Sequence, residues 1–203
     1  KVVNILWSSR WSEEHQVRIA VAHDITERKE MEASLLYAAG HDDLTKLPNR
    51  TLLLDRLQTA LILAERERTM LSVLFIDIDG FKAVNDDFGH IMGDKLLLDI
   101  AKRLKSCIRK SDTVGRLGGD EFLIVLHNTH KAVNAQRVAD KIRTKLALPF
   151  IIEGTQLEMS SSIGIASYPE SGTTPLELVQ LADQAMYQAK KNGGDEVISY
   201  LPL

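Results

Sequence analysis

The sequence predicts an α/β (α+β) domain in which a mixed central sheet with a split βαβ core is flanked by helices, mainly on one face. From residue 41 onward, helical and strand patterns follow one another in the order α-β-α-β-β-α-β-α-β. Residues 71–78 are almost entirely apolar, as a central strand buried on both faces should be. Gly118-Gly119 separates two short apolar segments, which is typical of a β-hairpin.

The amino-acid composition excludes several classes of protein. Hydrophobic residues make up 44% and charged residues 26% of the 203 residues, which excludes general disorder. The 25 Lys and Arg against 28 Asp and Glu argue against a protein that coats nucleic acid, although a small phosphate pocket remains compatible. The single cysteine, Cys107, cannot form an internal disulfide, so we expect a reducing, cytoplasmic location. No apolar run reaches the roughly 18–20 residues of a spanning helix, so we expect no membrane insertion.

Residues 1–25 alternate apolar and polar side chains around positions 3–7 and 17–21, which predicts two strands. Two strands alone cannot bury a face, so we expect them to be the last hairpin of a truncated upstream domain. The chain also lacks an initiator Met and a signal peptide, which favours a piece of a longer protein.

Residues 26–40 predict a helix, for which Asp24 or Thr26 is the candidate cap. Met31 and Leu35 share one stripe of this helix with two alanines. Two interpretations are open. The helix is either a solvated linker or a signalling helix that pairs in parallel with its copy and joins two protomers.

Residues 41–203 form the main domain, in which helical and strand segments alternate. Pro175 near the start and Gly193 past the end mark one of the helices. The predicted helices are 50–67, 90–110, 131–148 and 175–192, and the predicted strands are 71–78, 113–117, 121–127, 156–166 and 196–200.

Acidic residues follow the buried strand and occupy the hairpin turn. Asp77 and Asp79 end the strand, and Asp120 and Glu121 follow the two glycines. Because the strand and the hairpin are neighbours in a split βαβ sheet, we expect the two acid sets to converge at one edge. Carboxylates so close need a cation between them, and an oxygen-rich set suits Mg²⁺ or Mn²⁺. The alternative is that Asp and Gly cluster in these turns for conformational reasons alone.

Four ordered motifs in residues 41–200 resemble the GGDEF family, the diguanylate cyclases. The complete signature is Arg116-Leu117-Gly118-Gly119-Asp120-Glu121-Phe122, in which Phe122 follows the signature turn of Gly118 and Gly119. The resemblance implies a palm-like fold of the kind shared by nucleotide cyclases and polymerases. The other motifs are 43–50 (DLTKLPNR), 75–94 (FIDIDGFK with ND, GH and GD) and 182–190 (AD through MYQAK). Residues 18–30 resemble the end of a PAS sensor domain running into a signalling helix.

The resemblance implies roles for individual residues. Asp77, the main-chain carbonyl of Ile78 and Asp120 would bind a pair of Mg²⁺ or Mn²⁺ ions. Asp120 would also accept the proton of the attacking hydroxyl, and Glu121 would support that site. The remaining implied residues surround the nucleotide: Lys82 and Lys190 would neutralise phosphate oxygens, Asn85 and Asp94 would hydrogen-bond guanine, and His90 would line the same pocket.

Each of these residues also has a structural explanation. Lys82 and Lys190 would be solvated helix lysines, Asn85 a turn or cap residue, and Asp94 a partner of a helix dipole in the first turn. Position 194 departs from the family, because Gly194 stands where an Arg often helps to grip the phosphates.

Arg109 and Asp112 match the RxxD inhibitory site of the family, at the family's spacing from Gly118. The resemblance implies that Arg109 grips phosphate or the Hoogsteen edge of a product guanine, while Asp112 holds its Watson–Crick side. The alternative is a charged helix end, where an Arg suits the C-terminal dipole.

The sequence therefore predicts a diguanylate cyclase that condenses two GTP into cyclic di-GMP as a homodimer, as the output of a PAS-linked sensor. Cyclic di-GMP would also act as an allosteric inhibitor. The alternatives are a catalytically silent GGDEF module that binds GTP or cyclic di-GMP to regulate a neighbouring domain, a pure dimerisation scaffold, and a cyclase with a mixed purine product. Asp94 argues for guanine on both sides.

Overall fold

The computed structural model describes residues 2–128 and 132–200, and the chain divides into two units, residues 1–40 and 41–203. Position 131 of the predicted helix and positions 1 and 201–203 of the predicted domains lie outside the described residues.

The first unit consists of a hairpin and a helix. Strand β1 (Ile5–Ser12) pairs antiparallel with β2 (Val17–Asp24), and α1 (Thr26–Gly40) follows. None of residues 26–40 is buried. The apolar side chains of Met31, Leu35 and Leu36 are therefore exposed to solvent within this unit.

The second unit is built around a five-stranded sheet in the order β4-β5-β3-β8-β9. The central strand β3 is antiparallel to β5 and β8, while β9 is parallel to β8, so the sheet is mixed, as predicted. The elements are α2 (Arg50–Glu67), β3 (Leu71–Asp79), α3 (Phe81–Phe88), α4 (His90–Cys107), β4 (Thr113–Gly118), β5 (Glu121–Leu126), α5 (Ala132–Leu146), β6 (Phe150–Ile152), β7 (Thr155–Leu157), β8 (Ser160–Tyr168), α6 (Pro175–Lys191) and β9 (Val197–Ser199).

Helices cover both faces of this sheet, so the expectation that they lie mainly on one face is wrong. Successive side chains of β3 point to opposite faces and enter two separate cores. Leu74 and Ile76 pack in the core that contains α3, α4 and α5. Val73 and Phe75 pack in the second core, to which α2 and α6 contribute.

Several boundaries differ from the prediction. Helix α3 was not predicted because its eight residues lie between Gly80 and Gly89, both at positive φ, and are too few for a long periodic pattern. The predicted strand 156–166 consists of β7, which pairs with β6 in a separate hairpin, and β8. Helix α4 ends at Cys107 rather than at residue 110.

The helix starts are encoded locally. The Asn49 side chain accepts a hydrogen bond from the Leu52 amide at the start of α2. Thr174 and Glu177 form a reciprocal capping box at the start of α6, where Pro175 needs no amide partner. None of the helices in the described part of the chain has the length and apolar character that crossing a bilayer requires.

Gly164 lets α6 approach β8 closely, which gives a stability prediction. An added Cβ at this position would overlap the Ala182 carbonyl and the Met186 nitrogen, both of which belong to the helix backbone. We expect Gly164→Ala to lower the free energy of unfolding by about 3 kcal/mol, because the helix must move away from the sheet. Urea unfolding would measure this loss.

Ser161→Ala on the same strand is the matched control, since it adds no atom; it should not lower the free energy of unfolding, because it removes a buried hydroxyl that lacks a hydrogen-bond partner among the described residues. Equal stability of Gly164→Ala and the wild type would contradict the close packing of α6 on β8.

Candidate active site

The two acidic segments lie side by side at one end of the sheet. Asp77 near the end of β3 is paired with Glu121 at the start of β5, and Asp120 immediately precedes Glu121 in the hairpin turn. Directly opposite residues of an antiparallel pair share a face, and Phe75 and Leu123 continue this face into the core beneath α2 and α6. The acids therefore extend the face that α2 and α6 cover.

The carboxyl group of Asp77 is buried, and its ionised form is electrostatically unfavourable there. Burial raises its pKa to about 6, and the charges of Asp120 and Asp79 add to this effect, while Lys190 works in the opposite direction. Asp77 and Asp120 thus lie close enough to repel each other. A carboxylate in this position needs compensating positive charge.

Lys190 supplies part of that charge. Its ammonium nitrogen lies 2.6 Å from Asp77 Oδ1, so the two groups form a close ion pair. Burial would lower the pKa of Lys190, but the contact with Asp77 and the charges of Asp120 and Asp79 outweigh burial and raise it. The Lys190 ammonium group therefore interacts electrostatically with the carboxylates of Asp77, Asp120 and Asp79.

Asp183 and Arg50 lie near Glu121, although the sequence indicated no role for either. Burial raises the pKa of Glu121, and the carboxylates of Asp183 and Asp120 raise it further, while Lys190 and Arg50 oppose the shift. Asp183 lies two helical turns before Lys190 on α6, so the two side chains share a face. The spacing of Asp183 and Lys190 within the 182–190 motif was therefore the sequence signal that could have indicated Asp183.

The oxygen atoms at this edge fit a divalent cation with few protein ligands. Within residues 2–128 and 132–200, no three His, Cys, Asp or Glu side chains converge as a metal cluster. Asp77 and Asp120 nevertheless supply two neighbouring carboxylates, and Asp77 Oδ1, which already contacts the Lys190 ammonium group, can accept a cation. The Ile78 side chain is buried in the core, so this residue can contribute only its main chain. Mg²⁺ commonly binds through one or two carboxylates and completes its octahedron with water and phosphate oxygens.

The residues predicted to bind the nucleotide lie on the helix pair that follows β3. Lys82 and Asn85 belong to α3, and His90 and Asp94 belong to α4. A Cβ at Gly93 would overlap the Asn85 side chain, so glycine makes room for this amide between the helices. Asp94 is the fifth residue of α4, beyond the first turn, which contradicts a helix-dipole role.

Arg116 fixes the signature turn. Its Nη1 donates to both carboxylate oxygens of Asp42 at 3.1 Å, while Nε and Nη2 donate to the Gly119 carbonyl at 2.9 and 2.8 Å. Burial opposes ionisation of Asp42, but hydrogen bonds from Thr45 and Arg116 keep its pKa below the ordinary value. Asp42 lies one residue before the 43–50 motif, so the motif did not indicate its role.

The two glycines of the turn have φ of 150° and 50°, and added Cβ atoms there would meet nothing within 4 Å. The turn therefore presents an open backbone at Gly118 and Gly119, while Phe122 is fully buried in the sheet beside it. Phe122 is a core residue and cannot contact a ligand.

Arg109 and Asp112 line two clefts away from the acidic edge, of about 380 and 340 Å³. The Asp112 carboxylate accepts hydrogen bonds from the amides of Arg109 and His127 at 3.0 and 3.2 Å. Arg109 lies beyond the last residue of α4, so the prediction that it belongs to the helix is wrong. Cationic side chains surround it: Arg137 and Lys141 in the larger cleft, and Lys46, Arg56, Lys105 and Lys110 in the smaller one.

The chain matches the family described as "Diguanylate cyclase, GGDEF domain" over residues 39–196. It is 47% identical over 159 residues to the bifunctional diguanylate cyclase/cyclic di-GMP phosphodiesterase MucR of Pseudomonas aeruginosa. It is 46% identical over 160 residues to the diguanylate cyclase TpbB of the same species. These alignments cover 78% of this chain in both cases, but only 23% of MucR and 37% of TpbB.

Solved structures agree with this relationship. The GGDEF domain of TpbB superposes with a TM-score of 0.77 at 43% identity, covering 79% of this chain and 94% of that domain. The GGDEF domain of DgcB from Caulobacter crescentus, solved in complex with cyclic di-GMP, gives a TM-score of 0.74 at 26% identity, covering 80% and 96%. The acidic hairpin, the sheet that carries it and the match over residues 39–196 together make this chain a member of the GGDEF diguanylate cyclase family.

Proposed function

We propose that the second unit is a diguanylate cyclase, which converts two GTP into cyclic di-GMP and two pyrophosphates. The observation that carries the proposal is the juxtaposition of Asp77 and Asp120 with Lys190 at the open glycine turn. This edge offers two anionic ligands for cations and a cation for phosphate, which nucleotidyl transfer requires. The similarity to MucR and TpbB, both named as diguanylate cyclases, supports the same reaction.

Each domain would hold one GTP, and two domains would meet as a homodimer with their signature turns facing. The 3′-oxygen of one nucleotide then forms a bond to the α-phosphorus of the other, and the bond from that phosphorus to the pyrophosphate oxygen breaks. Asp120 would accept the proton of the hydroxyl, while Glu121 would support the site. A lone domain cannot complete this exchange, so alignment of two substrates is part of catalysis.

Asp77, Asp120 and the Ile78 carbonyl would hold a pair of Mg²⁺ or Mn²⁺ ions. When bound, these ions lower the pKa of the hydroxyl and offset the charge on the leaving group. Lys82 and Lys190 would bind phosphate oxygens, and Lys190 would leave Asp77 to do so.

Guanine recognition would fall to the α3–α4 pair. The Asp94 carboxylate can accept from both the ring N–H and the exocyclic amine of guanine, whereas adenine offers no such donor pair. Asn85 would hydrogen-bond the same base, and His90 would line the pocket. The half-buried Asn85 amide packed over Gly93 supports this assignment, because its orientation is restricted.

Residues 1–25 would be the end of a PAS domain and residues 26–40 a signalling helix, with the cyclase as the cytoplasmic output. The exposed Leu35 and Leu36 of α1 support a helix that pairs with its copy. The second candidate function is a silent module that binds GTP or cyclic di-GMP without turnover.

The first prediction concerns Asp120. Asp120→Asn should lower cyclic di-GMP formation from GTP and Mg²⁺ by about 1,000-fold, since it removes both a proton acceptor and an anionic ligand. Chromatography of the products would measure this loss. Asp140→Asn, an exposed change on α5, is the control. Undiminished product from Asp120→Asn would refute the assignment, and a wild type that binds GTP without turnover would identify the silent module.

The second prediction concerns pH. Asp77 must be ionised to bind a cation, and burial raises its pKa to about 6 without metal. Affinity for Mn²⁺ should therefore fall about tenfold for each pH unit below 6 and change little above 7. Titration of Mn²⁺ followed by electron paramagnetic resonance would measure it. Equal affinities at pH 5 and pH 7 would show that Asp77 is not a ligand.

The third prediction concerns product inhibition. Arg109→Ala should raise the cyclic di-GMP concentration that halves the cyclase rate by about tenfold or more, since a charged contact to the product is lost. Initial rates measured with added cyclic di-GMP test this change. Arg66→Ala, an exposed change on α2, should leave the inhibition as in the wild type. Unaltered inhibition of Arg109→Ala would remove this residue from the inhibitory site.

A further inference from the structure

We infer that Asp79 is a positioning residue, which holds the turn after α6 and thereby keeps Lys190 within reach of the nucleotide phosphates. The inference rests on the proposed function of Lys190. Asp79 has no role in the preceding mechanism, although it lies two residues after Asp77 on the same face of β3.

The Asp79 carboxylate is engaged by three donors, all from other elements. Oδ1 accepts from the Ser162 hydroxyl at 2.8 Å, and Oδ2 accepts from the Ser160 hydroxyl at 2.8 Å and from the Asp195 amide at 3.1 Å. The serines stand on β8, where Ser160 is the register partner of Asp79. Two hydroxyls of a neighbouring strand thus orient this carboxylate toward the main chain of residues 193–195.

The turn at 193–195 closes the end of α6. The Gly193 amide donates to the Lys190 carbonyl and the Gly194 amide to the Ala189 carbonyl, both at 3.1 Å. The Asp195 amide points instead at Asp79. The turn is therefore attached to the helix end on one side and to β3 on the other.

Gly194 makes this approach possible. Its φ is 81°, and an added Cβ would lie 3.1 Å from Asp79 Oδ2. An Arg at this position, which the family often carries, would therefore be strained and crowded against the carboxylate. Gly194, at the position where the family often carries Arg, thus lies in a turn whose backbone is hydrogen-bonded to α6 and to Asp79.

Two carboxylates of one strand thus hold the same helix end by different means. Asp77 contacts the Lys190 side chain at 2.6 Å, and Asp79 holds the main chain of the following turn. When Lys190 leaves Asp77 for a phosphate, the Asp77 contact is lost but the Asp79 contact persists. Asp79 would then limit where the ammonium group can move, together with the Arg143 side chain, which also contacts Asp195.

The test uses the full chain and a double variant that retains every charge. Ser160→Ala with Ser162→Ala removes the two hydroxyls that orient Asp79, whereas Ser161→Ala removes the hydroxyl between them, which has no hydrogen-bond partner among the described residues. We expect the double variant to raise the KM for GTP about tenfold and to change kcat by less than about twofold, because phosphate binding is weakened and the acids remain. Ser161→Ala should match the wild type in both constants.

A second readout does not depend on turnover. Hydrogen exchange of the Asp195 amide should be at least about tenfold faster in the double variant, and binding of a fluorescent GTP analogue should weaken in parallel. Asp79→Ala should show the same changes. Asp79→Asn should restore slow exchange and tight binding, because its carbonyl can accept from the Ser160 hydroxyl and the Asp195 amide while its amide donates to the Ser162 hydroxyl.

Unchanged exchange and unchanged nucleotide binding in the double variant would overturn the inference while leaving the cyclase proposal intact. A loss of Mn²⁺ binding in Asp79→Asn, with the double serine variant unaffected, would overturn it as well, because Asp79 would then be a ligand. If the wild type forms no cyclic di-GMP, the exchange and binding measurements still decide the role of Asp79.

Discussion

The buried carboxylate of Asp77 is the constraint on which the rest of the site depends. It lies near the end of β3, close to Asp120, and burial raises its pKa because the charged form is poorly solvated there. Lys190 offsets part of this cost through one close contact. Additional positive charge at this edge of the sheet would therefore be stabilising.

Most of the hydrogen bonds around the site serve to fix backbone rather than to present ligands. Arg116 joins Asp42 to the Gly119 carbonyl, and Asp79 joins two serines of β8 to the turn after α6. Both anchors use ionised side chains at the margins of the core, where charge-assisted hydrogen bonds are strong and geometrically specific.

The fold places the acidic residues, the proposed guanine-binding residues and Arg109 in different parts of the domain. The acids and Lys190 lie on the face covered by α2 and α6, whereas the proposed guanine residues lie on α3 and α4, which pack on the other face. Arg109 and its clefts lie beyond the end of α4, apart from the acidic edge. Arg109 therefore lies apart from the residues proposed to bind the substrate.

The sequence by itself determined the order of the longer helices and strands, the family and the acidic edge, because each depends on local patterns, whereas the short α3 and β6 were not predicted. The apolar strand at 71–78, the capped helices and the Gly-Gly hairpin are short-range signals that tertiary packing did not override. The sequence did not determine that helices cover both faces, since a strand buried on both sides shows no alternation from which to assign a face. Tertiary structure alone decided the partners of Asp42 and Asp79. Asp42 binds Arg116, which is 74 positions later in the chain, and Asp79 binds the Asp195 amide, which is 116 positions later. Such contacts arise where the loop before α2 meets β4 and where the turn after α6 meets β3, and no periodicity in the chain records them.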